Sequence, residues 1–133
     1  MENNGIFEEQ KAARLMYRVL QALNHIHSNG VVHRDMKPDN IMVGEDGEPK
    51  IIDFGLSREI GGEVDQGVLV GSKMFMAPEI IERTNHSYPC DMWSLGIILW
   101  MMLSGGYPFD LKNLEHEIVN EQVIFLPEWD NVS

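Results

Sequence analysis

Asp35, Lys37 and Asn40 fall close together in the run His33-Arg34-Asp35-Met36-Lys37-Pro38-Asp39-Asn40. A carboxylate can take the proton of an attacking hydroxyl, an ammonium can sit on a phosphate, and a side-chain carbonyl suits a hard cation such as magnesium. Pro38 disfavours helix at Lys37 and supplies no amide donor, so the run reads as a loop. The chemistry that needs all three groups is phosphoryl transfer. A second oxygen ligand for the cation should then stand on a neighbouring strand, and Asp53 in Lys50-Ile51-Ile52-Asp53-Phe54-Gly55 supplies it.

Elements must bring these groups together. Ile41-Met42-Val43 and Lys50-Ile51-Ile52 flank the turn-forming Gly44-Glu45-Asp46-Gly47-Glu48-Pro49 and predict a β-hairpin, with Asn40 just before its first strand and Asp53 just after its second. Antiparallel pairing closes that sequence gap. Upstream, Ala12, Leu15, Met16, Val19, Leu20, Leu23 and Ile26 recur at helical spacing, which predicts an amphipathic helix over Phe7 to His27, stopped by Asn29-Gly30 and followed by a short buried strand, Val31-Val32. Downstream, Tyr88-Pro89 opens an apolar helix from about Cys90 to Leu103, and Ser104-Gly105-Gly106 stops it. One further short helix is expected over Leu111 to Asn120, then exposed coil at Pro127-Glu128-Trp129-Asp130. Trp93 and Trp100 read as core packing.

The 133 residues suffice for one domain or one lobe of a larger one, with 44% apolar content and no run long enough for a membrane span. Ten Lys and Arg against 21 Asp and Glu give a net charge of -11, which disfavours a nucleic-acid partner and suits a basic protein substrate; no membrane partner is expected. The single cysteine, Cys90, excludes an internal disulfide; with no basic, apolar leader at the start, an intracellular, cytoplasmic setting is expected. His25, His27 and His33 invite a metal reading, but His25 and His27 point to different faces of the helix and His33 falls beyond its end, so structural or surface roles are favoured. The glycines and charges of Glu59 to Gly67 indicate a mobile loop.

Taken in order, these blocks resemble the catalytic core of eukaryotic serine/threonine protein kinases. The resemblance continues through Met76-Ala77-Pro78-Glu79, Asp91-Met92-Trp93-Ser94-Leu95-Gly96 and Leu103-Ser104-Gly105-Gly106-Tyr107-Pro108-Phe109. In wording, Ser28-Asn29-Gly30-Val31-Val32-His33-Arg34-Asp35 is closest to the calcium- or calmodulin-dependent group. The implied fold is α+β: a mostly helical C-terminal lobe with a small β-hairpin carrying the catalytic and metal-binding loops. Residues 1–133 would be a partial kinase domain whose N-terminal lobe is absent, since no glycine-rich phosphate loop or strand lysine of that family is found in them.

The resemblance also implies roles. Asp35 would be the base and Lys37 the phosphoryl contact, with the Ser72 hydroxyl, where the family usually has threonine, supporting both. Asn40 and Asp53 would hold Mg2+ and Lys37, Met42 and these two would face ATP. His33 would pack in the core against Phe54, which precedes Gly55. Arg34 would meet a phosphate in the loop after Gly55; with no Ser, Thr or Tyr between Arg58 and Val70, Glu63 and Asp65 are the candidate substitutes, the alternative being that Arg34 faces water. Glu79 would pair with an arginine beyond Ser133. Asp91 would hydrogen-bond the catalytic-loop backbone, against the plainer role of an acidic residue at a helix start. The implied activity is transfer of the γ-phosphoryl of ATP to Ser or Thr of a protein substrate, with calmodulin as a candidate regulator. The alternative is a truncated kinase-like binding module, or pseudokinase, without independent catalysis.

Overall fold

The computed structural model describes residues 6–61, 71–84, 86–125 and 127–132, with the side chains of 128 and 131 excepted. Glu63 and Asp65 therefore lie outside the described residues. Two helices make the frame. Helix α1, Glu9–Ser28, buries Ala12, Met16, Val19 and Leu23, which follow one another at three- and four-residue steps on one face. Asn29 ends it with its side-chain amide donating to the His25 carbonyl at 2.8 Å, and Gly30 continues at φ 77°. The opposite face of α1, mostly polar or charged residues such as Lys11, Arg14, Arg18 and Gln21, is exposed to water, as an amphipathic helix should be.

After the pair β1, Val31–Val32, come β2, Ile41–Val43, and β3, Pro49–Ile51. Strands β2 and β3 are antiparallel in the register Ile41↔Ile51, Met42↔Lys50, Val43↔Pro49. The Ile52 amide donates to the Asn40 carbonyl at 2.9 Å, which extends the ladder by one bond and carries it to the doorstep of Asp53. The expected hairpin is thus present, one residue earlier on its second strand than the apolar run suggests, because Pro49 fits a strand edge where no amide is required. The short strand β4, Arg58–Glu59, pairs antiparallel with β1, Val31 opposite Glu59 and Val32 opposite Arg58. The Ile60 amide adds a bond to the Gly30 carbonyl at 2.7 Å. Glu59 is therefore strand, not the start of a loop: a two-residue strand leaves no period in the sequence, and its partner lies far upstream.

A 3-10 turn over Lys73–Phe75 leads to the short helix α2, Pro78–Ile81, and then to α3, Pro89–Ser104. Helix α3 starts with proline in its first turn and ends at Gly105, φ 71°, whose amide caps the Met101 carbonyl at 2.9 Å. Its apolar residues run round the helix, so it serves several layers at once. Leu95 and Ile98 join Met16, Val19, Leu23 and Met36 in the main core; Cys90 joins Val32, Met76, Ala77 and Ile80; Ile97 joins Phe109 and Ile118. Full burial of a side chain such as Leu23 contributes about 2 kcal/mol by area.

The Leu111 to Asn120 segment divides into a 3-10 turn, Leu111–Asn113, and helix α4, Leu114–Asn120. The last described segment, Pro127–Asn131, is a 3-10 turn rather than coil. Trp129 holds it, with its ring centroid 4.2 Å from that of Trp100 and 5.6 Å from that of Phe125. Trp100 accordingly packs in a half-exposed aromatic cluster and not in the core, whereas Trp93 stacks on the buried Phe109. Among the described residues no helix is long and apolar enough to cross a membrane.

Candidate active site

Asp35, Lys37 and Ser72 form a closed triangle. The Lys37 ammonium lies 3.0 Å from Asp35 Oδ2 and donates to Ser72 Oγ at 3.1 Å, while Ser72 gives Asp35 Oδ1 both its amide, at 3.0 Å, and its hydroxyl, at 3.2 Å. The two charged side chains alternate with Met36, which is fully buried in the main core and pins the loop between them. Asp35 is 8% exposed. Burial pushes its carboxyl up, but the hydrogen bonds from Lys37 and Ser72 and the Lys37 charge outweigh that and hold it below the usual carboxylate value. The hydrogen bond to Asp35 likewise raises the Lys37 ammonium, against its own desolvation.

Asn40 closes the other side. Its side-chain amide donates to the Asp35 carbonyl at 2.8 Å and to Asp35 Oδ2 at 3.1 Å, which directs its own carbonyl oxygen away from Asp35. Asp53 stands one residue beyond the last β2–β3 bond at φ 61°, exposed, with Oδ1 accepting the Gly55 amide at 3.2 Å. It is near enough to raise the Lys37 ammonium. A buried amide oxygen and an exposed carboxylate, brought to one end of a hairpin, are the hard oxygen donors that magnesium takes. Met42, on the same hairpin, is 58% exposed.

His33 is fully buried. Its Nε2 lies 3.0 Å from the Ile52 carbonyl and its Nδ1 accepts the Asp35 amide at 3.3 Å, which assigns the proton to Nε2. The ring meets Phe54 edge-on, centroids 5.0 Å apart, as the resemblance implies. Arg34 has φ 68° and donates through Nε to the Leu56 carbonyl at 2.7 Å. Glu79 is half-buried, its backbone carbonyl taking the Thr84 amide at 2.9 Å, and its carboxylate has no hydrogen bond or ion pair among the described residues.

Asp91, fully buried in the first turn of α3, takes the Arg34 amide on Oδ1 at 2.8 Å and the His33 amide on Oδ2 at 2.9 Å. It therefore does more than complement a helix end. Three residues of this arrangement were not named as site residues from the sequence. Met36 looked like one apolar residue among many. His27, taken as structural or surface, contacts Asp91 Oδ2 through Nε2 at 2.8 Å. Gly71 sits at φ 103°, and a β-carbon there would fall 2.7 Å from the Arg34 carbonyl oxygen; its only signal was a glycine directly before the hydroxyl residue.

The chain matches the family model described as "Protein kinase domain" over residues 1–132. It is 40% identical over 116 residues to sperm motility kinase 2B of Mus musculus, covering 86% of this chain and 24% of that protein. Against a protein of Dictyostelium discoideum described as a probable myosin light chain kinase, it is 38% identical over 111 residues, 82% of this chain and 36% of the relative. A serine/threonine-protein kinase of Arabidopsis thaliana is 34% identical over 123 residues, 91% of this chain and 26% of its own length. The chain thus spans about a quarter to a third of these relatives. With that match running almost end to end over the loop, hairpin and helix just described, the chain belongs to the protein kinase domain family.

Proposed function

We propose that the protein carrying this chain is a serine/threonine kinase, and that these residues are the helical C-terminal portion of its catalytic domain. The observation that carries the reading is the Asp35–Lys37–Ser72 triangle, in which a carboxylate kept ionised by its neighbours shares a hydroxyl with an ammonium. Asp35 accepts the proton of a Ser or Thr hydroxyl as its oxygen bonds to the γ-phosphorus of ATP and the bond to the bridging oxygen breaks, releasing ADP. Lys37 faces the transferring phosphoryl, and Ser72 keeps Asp35 and Lys37 in register.

Asn40 and Asp53 are the residues that would hold Mg2+, and Met42 the apolar contact for the adenine. Magnesium supplies charge neutralisation at the phosphates. Arg34 and Glu79 are assigned to ordering the segment after Gly55, and His33, Phe54 and Asp91 to supporting the loop. The charge of -11, with Asp39 exposed beside Lys37, supports a basic protein segment as acceptor. Calmodulin as regulator rests on the wording of residues 28–35, 51–57 and 127–133, and a calmodulin-affinity measurement decides it.

The deciding experiment is phosphotransfer from ATP and magnesium to Ser and Thr peptides by the protein and its Asp35→Asn variant. Loss of the base should lower kcat by about a hundredfold or more. Asn at this position can still accept the Ser72 amide but sets an N–H against the Lys37 and Asn40 donors, so the variant is compared at a temperature where its melt shows it folded. A variant retaining most of its activity would remove Asp35 from the base role. No transfer by the unaltered protein would leave a kinase-like binding module as the reading.

A further inference from the structure

We infer that Lys73, held by Glu115, is a specificity-determining residue that favours an acidic side chain immediately beside the Ser or Thr being phosphorylated; the inference rests on the kinase reading and narrows the acceptor of that site. Its position follows from the triangle. An acceptor hydroxyl that gives its proton to Asp35 must come within hydrogen-bond distance of a carboxylate whose Oδ1 already takes the amide and hydroxyl of Ser72. Lys73 is one peptide from Ser72, about 3.8 Å between α-carbons, and the neighbours of the acceptor residue stand at the same remove from it. A lysine stem spans that offset. Lys37 is committed inward, to Asp35 and Ser72, whereas Lys73 is 62% exposed and reaches across to α4.

The sign of the preference comes from how that ammonium is held. Lys73 donates to Oε1 of Glu115, in the first turn of α4, at 2.7 Å, and Glu115 is itself 51% exposed. The Lys73 hydrogen bond and charge, with a smaller contribution from Arg83, hold the Glu115 carboxyl below its usual value. The backbone behind Lys73 is fixed as well, since Ser94 and Tyr107 bind the Phe75 and Met74 carbonyls. An ammonium has three N–H donors and Glu115 Oε1 uses one, so Lys73 can take a second carboxylate without leaving the first. A basic neighbour of the acceptor would instead meet the charges of Lys73 and Arg83, with Glu115 already engaged. An acid therefore suits this spot although the chain as a whole carries -11. Asp39, exposed beside Lys37, leaves basic residues a place elsewhere along the same acceptor.

The test uses the full chain and serine peptides with arginine at the outer positions, identical but for Glu, Gln or Lys directly before or directly after the serine. The ratio of kcat/KM for Glu over Gln should reach about threefold to fivefold at one of the two positions, carried by KM rather than kcat, and should fall toward one in 0.5 M NaCl. Lys73→Met should bring the ratio to about one, and Lys73→Glu should invert the preference toward Lys. Glu115→Gln, which removes the carboxylate competing for the ammonium, should raise the ratio about twofold. Where Lys73→Met fails to fold, Lys73→Gln takes its place.

A ratio that Lys73→Met leaves unchanged, or a preference for Lys over Glu at both positions in the unaltered protein, overturns the inference. If the unaltered protein transfers no phosphate, the kinase reading fails by itself. Fluorescence anisotropy of the same peptides with alanine in place of serine then reads the contact with Lys73 directly. Tighter binding of the Glu peptide that is lost in Lys73→Met supports it, and Glu and Gln peptides that behave alike overturn it.

Discussion

At the scale of single residues, the site depends on positions where no other side chain fits. Gly71 is the clearest case: at φ 103°, with the Arg34 carbonyl oxygen 2.7 Å from where a β-carbon would stand, alanine must push the loop away from Ser72. We predict that Gly71→Ala lowers stability by about 2 kcal/mol, from strain and the clash together, and lowers phosphotransfer further than that loss explains. Denaturant melts beside kinetics decide it; a variant with normal activity would show that Ser72 does not need its present place. Cys90 makes a different prediction. Burial, with the Asp91 and Glu79 charges, pushes its thiol up to about 12 from a usual 9.0. The native chain should resist iodoacetamide at pH 8 and react once unfolded. Since the folded value is the higher one, the stability from this group is complete below pH 9 and declines as pH rises from 9 toward 12. A chain with Cys90→Ser should lose less stability over that window, as urea midpoints taken at pH 8 and pH 10.5 would reveal.

At the scale of elements, the turn Lys73–Phe75 is gripped from two sides. Ser94 on α3 donates to the Phe75 carbonyl at 2.6 Å, and Tyr107 donates to the Met74 carbonyl at 2.5 Å. Burial pushes the Tyr107 phenol up to about 12, so it remains a donor throughout the neutral range. Tyr107→Phe should cost about 1 kcal/mol and raise KM for the protein acceptor while leaving KM for ATP alone, because the turn follows directly on Ser72. Equal changes in both constants would argue against an acceptor-facing role for the turn. Elements of this kind differ in how far the sequence reveals them. The period of Ala12, Met16, Val19 and Leu23 declares α1, and the Gly-rich turn between Ile41 and Ile51 declares the hairpin that joins Asn40 to Asp53. Strand β4 and the Trp129 turn declare nothing, since each is held by a partner remote in the chain and is shorter than any period. The charged members of the site were legible from their types and spacing; His27 and Gly71 were not, because their importance lies in an atom of another segment.

For the molecule as a whole, the net charge of -11 sets the response to salt. Exposed ion pairs such as Arg18 with Glu48 and Lys73 with Glu115 contribute little, and screening weakens them. General repulsion among the excess carboxylates is screened as well, and it involves many more charges. Melting temperature should therefore rise between low salt and about 0.3 M NaCl, where the screening length is already shorter than most charge separations. A fall would mean that the few pairs matter more than the excess.

The Asp91 carboxylate also imposes an order of events during synthesis. It receives the amides of His33 and Arg34 across 58 and 57 residues of chain. At a ribosomal pace of about 5–20 residues per second, the loop waits roughly 3–11 s after its own emergence for the residue that shapes it. For most of that interval the nascent chain holds α1 and the hairpin sequence, yet it carries Asp35 without a fixed direction. A ribosome stalled before Asp91 should thus display a helical but unshaped precursor, sensitive to proteolysis at His33 to Asp35, and one stalled well beyond α3 should not.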